Sequence, residues 1–201
     1  MFLSVEGGDG SGKSTQIDLL VGWLRNSGYD VVTCRDPGST PLGESVREIL
    51  LHRHDLDIHR TSEMLLYMAA RAQMVDEIIR PAIEAGKAVV SDRFLLSNVV
   101  YQGHAGGLDV DTLWEVGRIA TGGMLPDLSF VLDVPLDVAQ SRMNRSLDRM
   151  ELQGDSFHEK VRQGFLAEAE KQPEHIIVID ASQDIDAVHH AVRSAVERFC
   201  R

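Results

Sequence analysis

The sequence predicts an α/β domain of three layers, in which a parallel sheet lies between two layers of helices. Two observations carry this prediction. Short apolar runs typical of buried strands alternate with longer segments whose apolar residues recur at helical spacing. The first strand and the first helix also flank a glycine-rich stretch, residues 7–15, that fits the pattern G-x-x-x-x-G-K-[ST]. Strands this apolar are covered on both faces, and their alternation with helices implies parallel pairing with right-handed crossovers.

The first half of the chain predicts two strands and three helices. Residues 1–6 form the first strand, and the apolar positions between Ile17 and Leu24 indicate a helix that ends before Gly28. A second strand over residues 30–34 and a helix over residues 42–51 flank the turn at Pro37 and Gly38. Ser62 is expected to cap a long helix that runs to residue 83, with Gly86 beyond its end. The expected buried side of that helix carries Met64, Leu65, Met68, Val75, Ile78 and Ile79.

The second half continues the alternation. A strand over residues 88–91 is followed by a glycine-rich loop, a helix over residues 111–121 and a strand over residues 128–132. Helices over residues 135–143 and 156–171 flank a charged segment, and a fifth strand at residues 176–179 precedes a closing helix at residues 185–199. Because the sequence has no repeat, low-complexity tract or linker, we expect one domain over residues 1–201 with a five-stranded parallel sheet.

The composition limits the function classes. The 201 residues include 20 Lys and Arg against 31 Asp and Glu, a formal net charge of −11. This balance argues against a polynucleotide-binding surface, which needs a basic face, but leaves a small anionic substrate open. Cys34 and Cys200 have neither disulfide-framework nor metal-ligand spacing. Since strand-like sequence begins at Met1 and no apolar run could span a bilayer, we expect a cytoplasmic protein without a signal peptide or membrane contact.

The glycine-rich stretch has the residues that a nucleoside triphosphate requires. Glycines let the backbone curl so that successive N–H groups surround phosphate oxygens. Lys13 places a charge on the β- and γ-phosphates, the Ser14 hydroxyl can ligate Mg²⁺, and the following helix directs its N-terminus at the same phosphates. The alternative is a glycine-rich turn that matches the motif by chance, but the predicted strand before it and the predicted helix after it favour a phosphate-binding loop. The predicted binding residues are Gly7, Gly8, Asp9, Gly10, Ser11, Gly12, Lys13, Ser14 and Thr15.

Asp92 and Arg93 stand where the third predicted strand ends. Ligands of open α/β sheets gather beyond the carboxyl ends of the strands. There, Asp92 can hold the Mg²⁺ hydration shell opposite Ser14, and the Arg93 guanidinium can clamp a phosphate with two hydrogen bonds. The alternative is an aspartate that caps a turn beside a surface arginine. The preceding phosphate-loop motif favours the functional interpretation.

Several segments together resemble the thymidylate kinases. They are residues 7–15, Arg35-Asp36-Pro37-Gly38, Tyr67-Met68-Ala69-Ala70-Arg71, Asp92-Arg93-Phe94 and residues 97–103, with further matches at residues 147–151 and 180–182. The resemblance covers essentially the whole chain. It implies a P-loop kinase that moves the γ-phosphoryl group of ATP to thymidine monophosphate with Mg²⁺, and that usually forms homodimers. Asp36, Ser39 and Tyr67 stand where many members have Glu, Gly and Phe.

The predicted acceptor site combines base, sugar and phosphate contacts. Tyr67 and Arg71 are four residues apart on a helix, so a ring that stacks on a base lies beside a guanidinium that can bind its carbonyl. The resemblance to the thymidylate kinases implies that Asn98 contacts the base edge and that Tyr101 limits the space at the sugar 2′ position. It also implies that Asp9 lies near the 3′-hydroxyl. Individually, these residues could equally be packed aromatics, solvated charges and turn residues. The predicted set is Asp9, Arg35, Arg47, Tyr67, Arg71, Arg93, Asn98, Tyr101 and Gln102, with the phosphate held by Arg47 and Arg93 beside Arg35.

The charged segment at residues 142–154 is predicted to be a lid. A charge run is normally a solvated helix face, but phosphoryl transfer needs cations on the migrating group, and closing lids supply them. By resemblance, Arg142 stacks on adenine, while Arg145 and Arg149 are candidates for the transferring phosphate. Gly10 occupies a position where some thymidylate kinases carry an arginine. The predicted catalytic residues are Lys13, Asp92, Arg93, Arg145 and Arg149, with Ser14 and Asp92 on the metal.

Three other functions compete with this interpretation. A GTPase switch would need an N-K-x-D guanine reader and a D-x-x-G motif, and the sequence has neither. A nucleotide-binding regulator without catalysis is disfavoured by the intact Lys13, Ser14 and Asp92. A kinase for another nucleoside or nucleotide on the same scaffold stays open at this point.

Overall fold

The computed structural model describes residues 1–143, 149–150 and 152–200. At its centre is a sheet of five parallel strands: β1 (Phe2–Glu6), β2 (Val31–Arg35), β3 (Ala88–Asp92), β4 (Leu128–Asp133) and β5 (Ile176–Asp180). Their spatial order is β2-β3-β1-β4-β5. Because β1 pairs in parallel with β3 on one side and with β4 on the other, the loops that follow these strands emerge at the same edge.

Helices cover both faces of the sheet. They are α1 (Lys13–Asn26), α2 (Pro41–His52), α3 (Arg60–Met74), α4 (Arg80–Glu84), α5 (Leu95–Asn98), α6 (Val110–Thr121), α7 (Leu136–Arg142), α8 (Asp155–Lys171) and α9 (Ile185–Phe199). Two π-helical segments interrupt this series. Val75–Ile79 joins α3 to α4, and Val99–Ala105 continues directly from α5.

The apolar core confirms the three-layer arrangement. On one face, Leu3 and Phe130 of the sheet pack with Leu24 of α1 and Val192 of α9. On the other face, Phe2 and Val89 pack with buried side chains of α3 and α6, including Met68 and Leu113. Alternate residues of the strands therefore enter opposite layers, which is why the three central strands β1, β3 and β4 are buried along most of their length. The predicted fold class is confirmed.

The start of α3 differs from the prediction. The capping residue is His59 and not the predicted Ser62: its ring accepts a hydrogen bond from the Thr61 backbone N–H at 3.3 Å, and the helix begins at Arg60. Leu65, predicted to be buried, is 51% exposed. The predicted single helix to residue 83 is divided by the π-helical segment before Pro81, which has no backbone N–H to continue a regular ladder.

The other predicted elements lie within a few residues of their observed bounds, with one omission. Residues 95–105, for which the sequence predicted no regular structure, form α5 and the π-helical segment. Within the described ranges, no helix combines the length and the apolar character that crossing a bilayer requires.

Candidate active site

A cavity of about 1330 Å³ opens beyond the carboxyl ends of β1, β2 and β3. The glycine-rich loop lies in its middle. One end is lined by residues of α2, α3 and the π-helical segment Val99–Ala105, and the other by Arg142 and residues 181–188. A site with two ends joined at a phosphate-binding loop can hold two ligands whose phosphates meet in the middle.

The glycine-rich loop leaves the start of α1 open to an anion. Gly12 precedes the helix in the left-handed conformation, with φ +92°, and no side chain caps the first N–H groups. These donors and the helix dipole therefore favour phosphate. The Lys13 ammonium donates to the carbonyl oxygens of Gly8 at 2.8 Å and Gly7 at 3.2 Å. Burial lowers the pKa of Lys13 to about 8.

Gly10 packs directly against α7. Its φ is +77°, and a Cβ placed there would clash with the carbonyl group of Ala139. This conformation of the loop therefore has no room for a side chain at Gly10. The loop therefore offers no arginine at this position, in contrast to the thymidylate kinases that carry one there.

Asp9, Arg93 and Tyr101 form one cluster over the loop. The Asp9 carboxylate accepts from Arg93 Nη2 at 2.6 Å and from the Tyr101 hydroxyl at 3.2 Å, and the Lys13 ammonium lies 3.9 Å away. Burial is the largest single influence on the Asp9 carboxyl and opposes its ionisation. The charges of Arg93 and Lys13 nevertheless outweigh it and hold the pKa of Asp9 below its ordinary value.

Arg93 is held from several sides. Its Nη1 donates to the Gly7 carbonyl at 2.9 Å and to Ser97 Oγ at 3.3 Å, and its guanidinium lies 5.2 Å from the centre of the Tyr101 ring. Its φ is +64°, the left-handed region that non-glycine residues rarely adopt. Ser91 Oγ donates to the Arg93 carbonyl at 2.6 Å and stabilises this backbone. Strained residues fixed in this way cluster at functional sites.

Asp92 and Ser14 fit a magnesium site. Asp92 Oδ1 is buried and, among the described residues, has no hydrogen-bond partner. Ser14 lies in the first turn of α1. Carboxylate and hydroxyl oxygens are the ligands that Mg²⁺ prefers, and this ion is usually held by one or two protein groups together with substrate phosphates. The described ranges contain no cluster of three or more His, Cys, Asp or Glu side chains for a metal held entirely by protein.

Arg71 is anchored where the cavity is lined by α3 and the π-helical segment Val99–Ala105. It is 1% exposed, and its Nε donates to Asp36 Oδ2 at 2.5 Å. Its guanidinium lies 5.6 Å from the centre of the Phe94 ring. Asp36, predicted only as a departure from the usual Glu, is therefore the residue that orients this guanidinium.

A chain of hydrogen bonds continues from Arg71 through this end of the cavity. Arg71 Nη1 donates to Asn98 Oδ1 at 3.0 Å, Asn98 Nδ2 donates to Gln102 Oε1 at 2.7 Å, and Gln102 Nε2 donates to Glu63 Oε1 at 2.8 Å. Arg149 Nη2 donates to the other oxygen of Glu63. We call Arg71, Asn98, Gln102, Glu63 and Arg149 the buried relay.

The remaining predicted acceptor residues also line the cavity. Tyr67 and Arg47 face the end that contains Arg71, and Arg47 Nη1 donates to the Pro37 carbonyl at 2.9 Å. Arg35 lines the rim, where its guanidinium pairs with Glu44 at 2.8 Å. Since this pair is about half-exposed, the structure places Arg35 less deeply in the site than Arg47 or Arg93.

The predicted lid arginines Arg142 and Arg149 contact different parts of the protein. Arg142 Nη1 donates to the Ala181 carbonyl at 3.0 Å, so this arginine borders the second end of the cavity. Arg149 contacts α2 and α3 instead: its Nε donates to the Leu50 carbonyl at 2.7 Å, and its Nη2 donates to Glu63. Arg145 lies outside the described residues, as do residues 144–148 and 151 of the predicted lid.

Sequence reasoning missed two buried glutamates, Glu6 and Glu63. Glu6 ends β1, accepts from Ser97 Oγ at 2.5 Å, and has a second oxygen without a partner among the described residues. Burial, the largest cause, raises its pKa. A lone carboxylate in an apolar strand directly before the loop was a usable signal for Glu6. Glu63 gave none, because a glutamate in the first turn of a helix is ordinary.

Comparison with known proteins adds family and fold relatives. A family model described as thymidylate kinase matches residues 5–192. The thymidylate kinase of Caldanaerobacter subterraneus subsp. tengcongensis is 45% identical over all of this chain and 96% of its own length. That of Rhodopirellula baltica is 44% identical over 98% of this chain and 80% of its own length. The crystal structure of the Ehrlichia chaffeensis thymidylate kinase superposes with a TM-score of 0.79, at 32% identity and 98% coverage of both chains.

Proposed function

This chain belongs to the thymidylate kinase family and is an ATP-dependent kinase of thymidine monophosphate, and we propose the following roles for its residues in that reaction. The acceptor occupies the end of the cavity at the buried relay, and ATP occupies the end at Arg142. The γ-phosphoryl group then lies over the glycine-rich loop, between the two nucleotides.

The observation that carries the proposal is the position of Arg93. Its guanidinium bridges the Asp9 carboxylate, the Gly7 carbonyl and Ser97, where the carboxyl ends of β1 and β3 meet. An arginine fixed there binds the acceptor phosphate and aligns its oxygen with the γ-phosphorus. Positioning of this kind supplies much of the catalysis in phosphoryl transfer, because the protein forms no covalent intermediate.

The acceptor base and sugar contact the predicted residues around Arg93. Tyr67 stacks on the base, and Arg71 donates to a carbonyl oxygen beside Asn98. The Tyr101 ring, packed against Phe157 and Phe165 at centroid distances of 6.2 and 6.3 Å, limits the space at the sugar 2′ position. Gln102 holds the Asn98 amide, Arg47 adds charge at the acceptor phosphate, and Arg35 completes the rim.

On the donor side, residues 7–15 bind the ATP phosphates through backbone N–H groups, and Lys13 neutralises the β- and γ-phosphates. Arg142 stacks on adenine. In the transfer, an oxygen of the acceptor phosphate forms a bond to the γ-phosphorus while the bond to the β-phosphate oxygen breaks, giving ADP and thymidine diphosphate. Mg²⁺ held by Ser14 and Asp92 would offset the negative charge of the phosphates.

The chain forms a single domain over residues 1–201, with a lid at residues 142–154 that closes over the γ-phosphate. Arg145 and Arg149 remain the proposed cationic residues of the lid. The contacts of Arg149 with Leu50 and Glu63 favour Arg145 for direct contact with phosphate.

We further propose a cytoplasmic homodimer that binds no nucleic acid. Leu65 on α3 and Ile119 on α6 are 51% and 81% exposed, and these two helices pack side by side. A second copy of the chain would cover this apolar surface. The formal net charge of −11 argues against a polynucleotide partner.

The reaction is tested by following the labelled phosphoryl group. Protein incubated with Mg²⁺, thymidine monophosphate and ATP labelled at the γ-phosphate should yield labelled thymidine diphosphate and unlabelled ADP. Label released only as inorganic phosphate would identify a hydrolase and overturn the proposal.

A further inference from the structure

Glu63 is a buried carboxylate for which the reaction gives no direct role. It lies in the first turn of α3, is 8% exposed, and accepts hydrogen bonds at both oxygens. Gln102 Nε2 donates to Oε1 at 2.8 Å, and Arg149 Nη2 donates to Oε2. Both donors are themselves largely buried, so Glu63 joins the acceptor end of the cavity to Arg149, a residue of the predicted lid.

Arg71 and Glu63, which flank the two amides of the buried relay, determine how those amides point. A guanidinium can only donate hydrogen bonds, and a carboxylate can only accept them, whereas an Asn or Gln amide can do either, depending on its orientation. Arg71 therefore requires the oxygen of Asn98 to face it, and Glu63 requires the nitrogen of Gln102. With both ends fixed, only one orientation of each amide satisfies every link. The orientation of the Asn98 and Gln102 amides thus follows from the chemistry of Arg71 and Glu63.

We propose that Glu63 is a positioning residue for acceptor-base selectivity. By accepting from Gln102, it fixes the direction of both amides and keeps the Asn98 carbonyl oxygen beside the Arg71 guanidinium at the base-binding end. This inference rests on the proposed function of that end as the acceptor site.

The fixed direction matches one type of base edge. Thymine presents a ring N–H next to a carbonyl oxygen, which complements an acceptor at Asn98 beside a donor at Arg71. Cytosine presents a ring nitrogen that accepts and an amino group that donates, so it would face like groups at both positions. A buried site that leaves such groups unpaired discriminates strongly against the wrong ligand. Loss of the fixed direction should therefore relax the preference for thymine.

Arg149 supports Glu63 from the opposite side. Its Nε is held by the Leu50 carbonyl at 2.7 Å, and its backbone N–H donates to the Leu51 carbonyl at 3.2 Å. Its guanidinium is thereby presented to Glu63 by the end of α2. Because Arg149 and Gln102 both donate, the residue at position 63 must offer two acceptors, and a neutral amide has only one acceptor oxygen.

The direct test is Glu63→Gln, which keeps the shape and removes one acceptor. The measured quantity is the ratio of kcat/KM for thymidine monophosphate to kcat/KM for deoxycytidine monophosphate. We expect this ratio to fall about tenfold or more, equivalent to about 1.4 kcal/mol. Glu84→Gln on the exposed surface of α4 is the matched control and should leave the ratio unchanged. An unchanged ratio in a folded Glu63→Gln protein overturns the inference.

A double exchange separates selectivity from general stability. In the variant that combines Glu63→Gln with Gln102→Glu, the carboxylate at position 102 accepts from Asn98 and from the new amide at position 63. The oxygen of that amide then accepts from Arg149, so every link has a donor and an acceptor again. The thymine-to-cytosine ratio should return towards the wild-type value, even if Glu63→Gln alone fails to fold. A ratio that remains relaxed in the folded double variant contradicts the inference.

These outcomes differ from a failure of the proposed function. If the wild-type protein phosphorylates neither acceptor, the proposed function itself is wrong. If the wild type prefers thymidine monophosphate and neither variant changes the ratio, only the role of Glu63 is wrong.

Discussion

The Arg93 guanidinium lies 2.6 Å from the Asp9 carboxylate and also donates to the carbonyl of Gly7, so the end of β3 is tied to the phosphate-binding loop at two points. In the proposed function, this geometry couples the two substrates, because the arginine proposed to bind the acceptor phosphate is positioned by the same loop that is proposed to bind ATP. This placement requires Arg93 to adopt a left-handed backbone conformation, which costs free energy for a residue other than glycine.

The first prediction tests that arrangement. Arg93→Lys keeps a positive charge but cannot bridge Asp9, Gly7 and Ser97, because an ammonium lacks the planar fork of a guanidinium. We expect kcat/KM for thymidine monophosphate to fall roughly 10²-fold, with a smaller change in the KM for ATP. Steady-state kinetics with Arg25→Lys, on the exposed face of α1, provide the control. Near-normal kinetics in Arg93→Lys would show that one charge suffices.

The second prediction concerns the cation on the transferring phosphoryl group. Because Gly10 has no room for a side chain and Arg149 is held by Leu50 and Glu63, we expect Arg145→Ala to lower kcat roughly 10³-fold. The KM for thymidine monophosphate should change little, since this contact forms mainly in the transition state. Arg149→Ala should instead alter base selectivity through Glu63. The opposite pattern, a steep loss of kcat only in Arg149→Ala, would reassign the role.

The third prediction is a pH dependence of nucleotide binding. Burial lowers the pKa of Lys13 to about 8 in the protein without nucleotide, and bound phosphates favour the charged ammonium. ATP binding above pH 8 should therefore take up a proton, and affinity should weaken as the pH rises, by at most about tenfold per pH unit.

Calorimetry at pH 8.5 in two buffers of different ionisation enthalpy measures this uptake directly. The γ-phosphate is fully ionised at that pH and contributes nothing. Lys13→Arg, which stays charged, is the control and should show no uptake. Proton release, or no exchange in the wild type, would contradict the lowered pKa.

The fourth prediction concerns the sugar. Tyr101 is held by Phe157, Phe165 and the Asp9 carboxylate, so its ring has a fixed position. Tyr101→Ala should narrow the preference for deoxyribose over ribose acceptors, because it opens space beside the 2′ carbon. Tyr101→Phe loses only the hydroxyl contact and should keep the ratio. If the deoxy-to-ribo ratio of kcat/KM is the same in Tyr101→Ala and wild type, another residue must select the sugar.

The sequence predicted those parts of the site in which function depends on local pattern. The glycine-rich loop needs glycines, Lys13 and Ser14 at fixed spacing, and Asp92 needs only to follow a strand. The three layers and the parallel sheet followed from apolar runs that alternate with helices, whereas the strand order came only from the structure. The sheet brings these segments together because parallel strands present their carboxyl ends at one edge.

The parts that could not be predicted depend on contacts between distant residues. Glu63 is buried and accepts from Gln102 and Arg149, which lie 39 and 86 residues away in the sequence. Ser62 has a good capping side chain, yet the nearby His59 caps α3, so the helix begins at Arg60. Leu65 fits the helical apolar pattern but lies on the outer surface of α3, because periodicity alone does not show which apolar side chains a neighbouring element covers.

The preference for thymidine monophosphate is tested most directly by comparing acceptors in a coupled assay of ADP release. Purified protein with ATP and Mg²⁺ is given equal concentrations of thymidine, deoxycytidine, adenosine or guanosine monophosphate, and kcat/KM is measured for each. We expect thymidine monophosphate to be the best acceptor by at least about tenfold, the effect of roughly one mismatched buried hydrogen bond. Higher kcat/KM with any of the other three would contradict it.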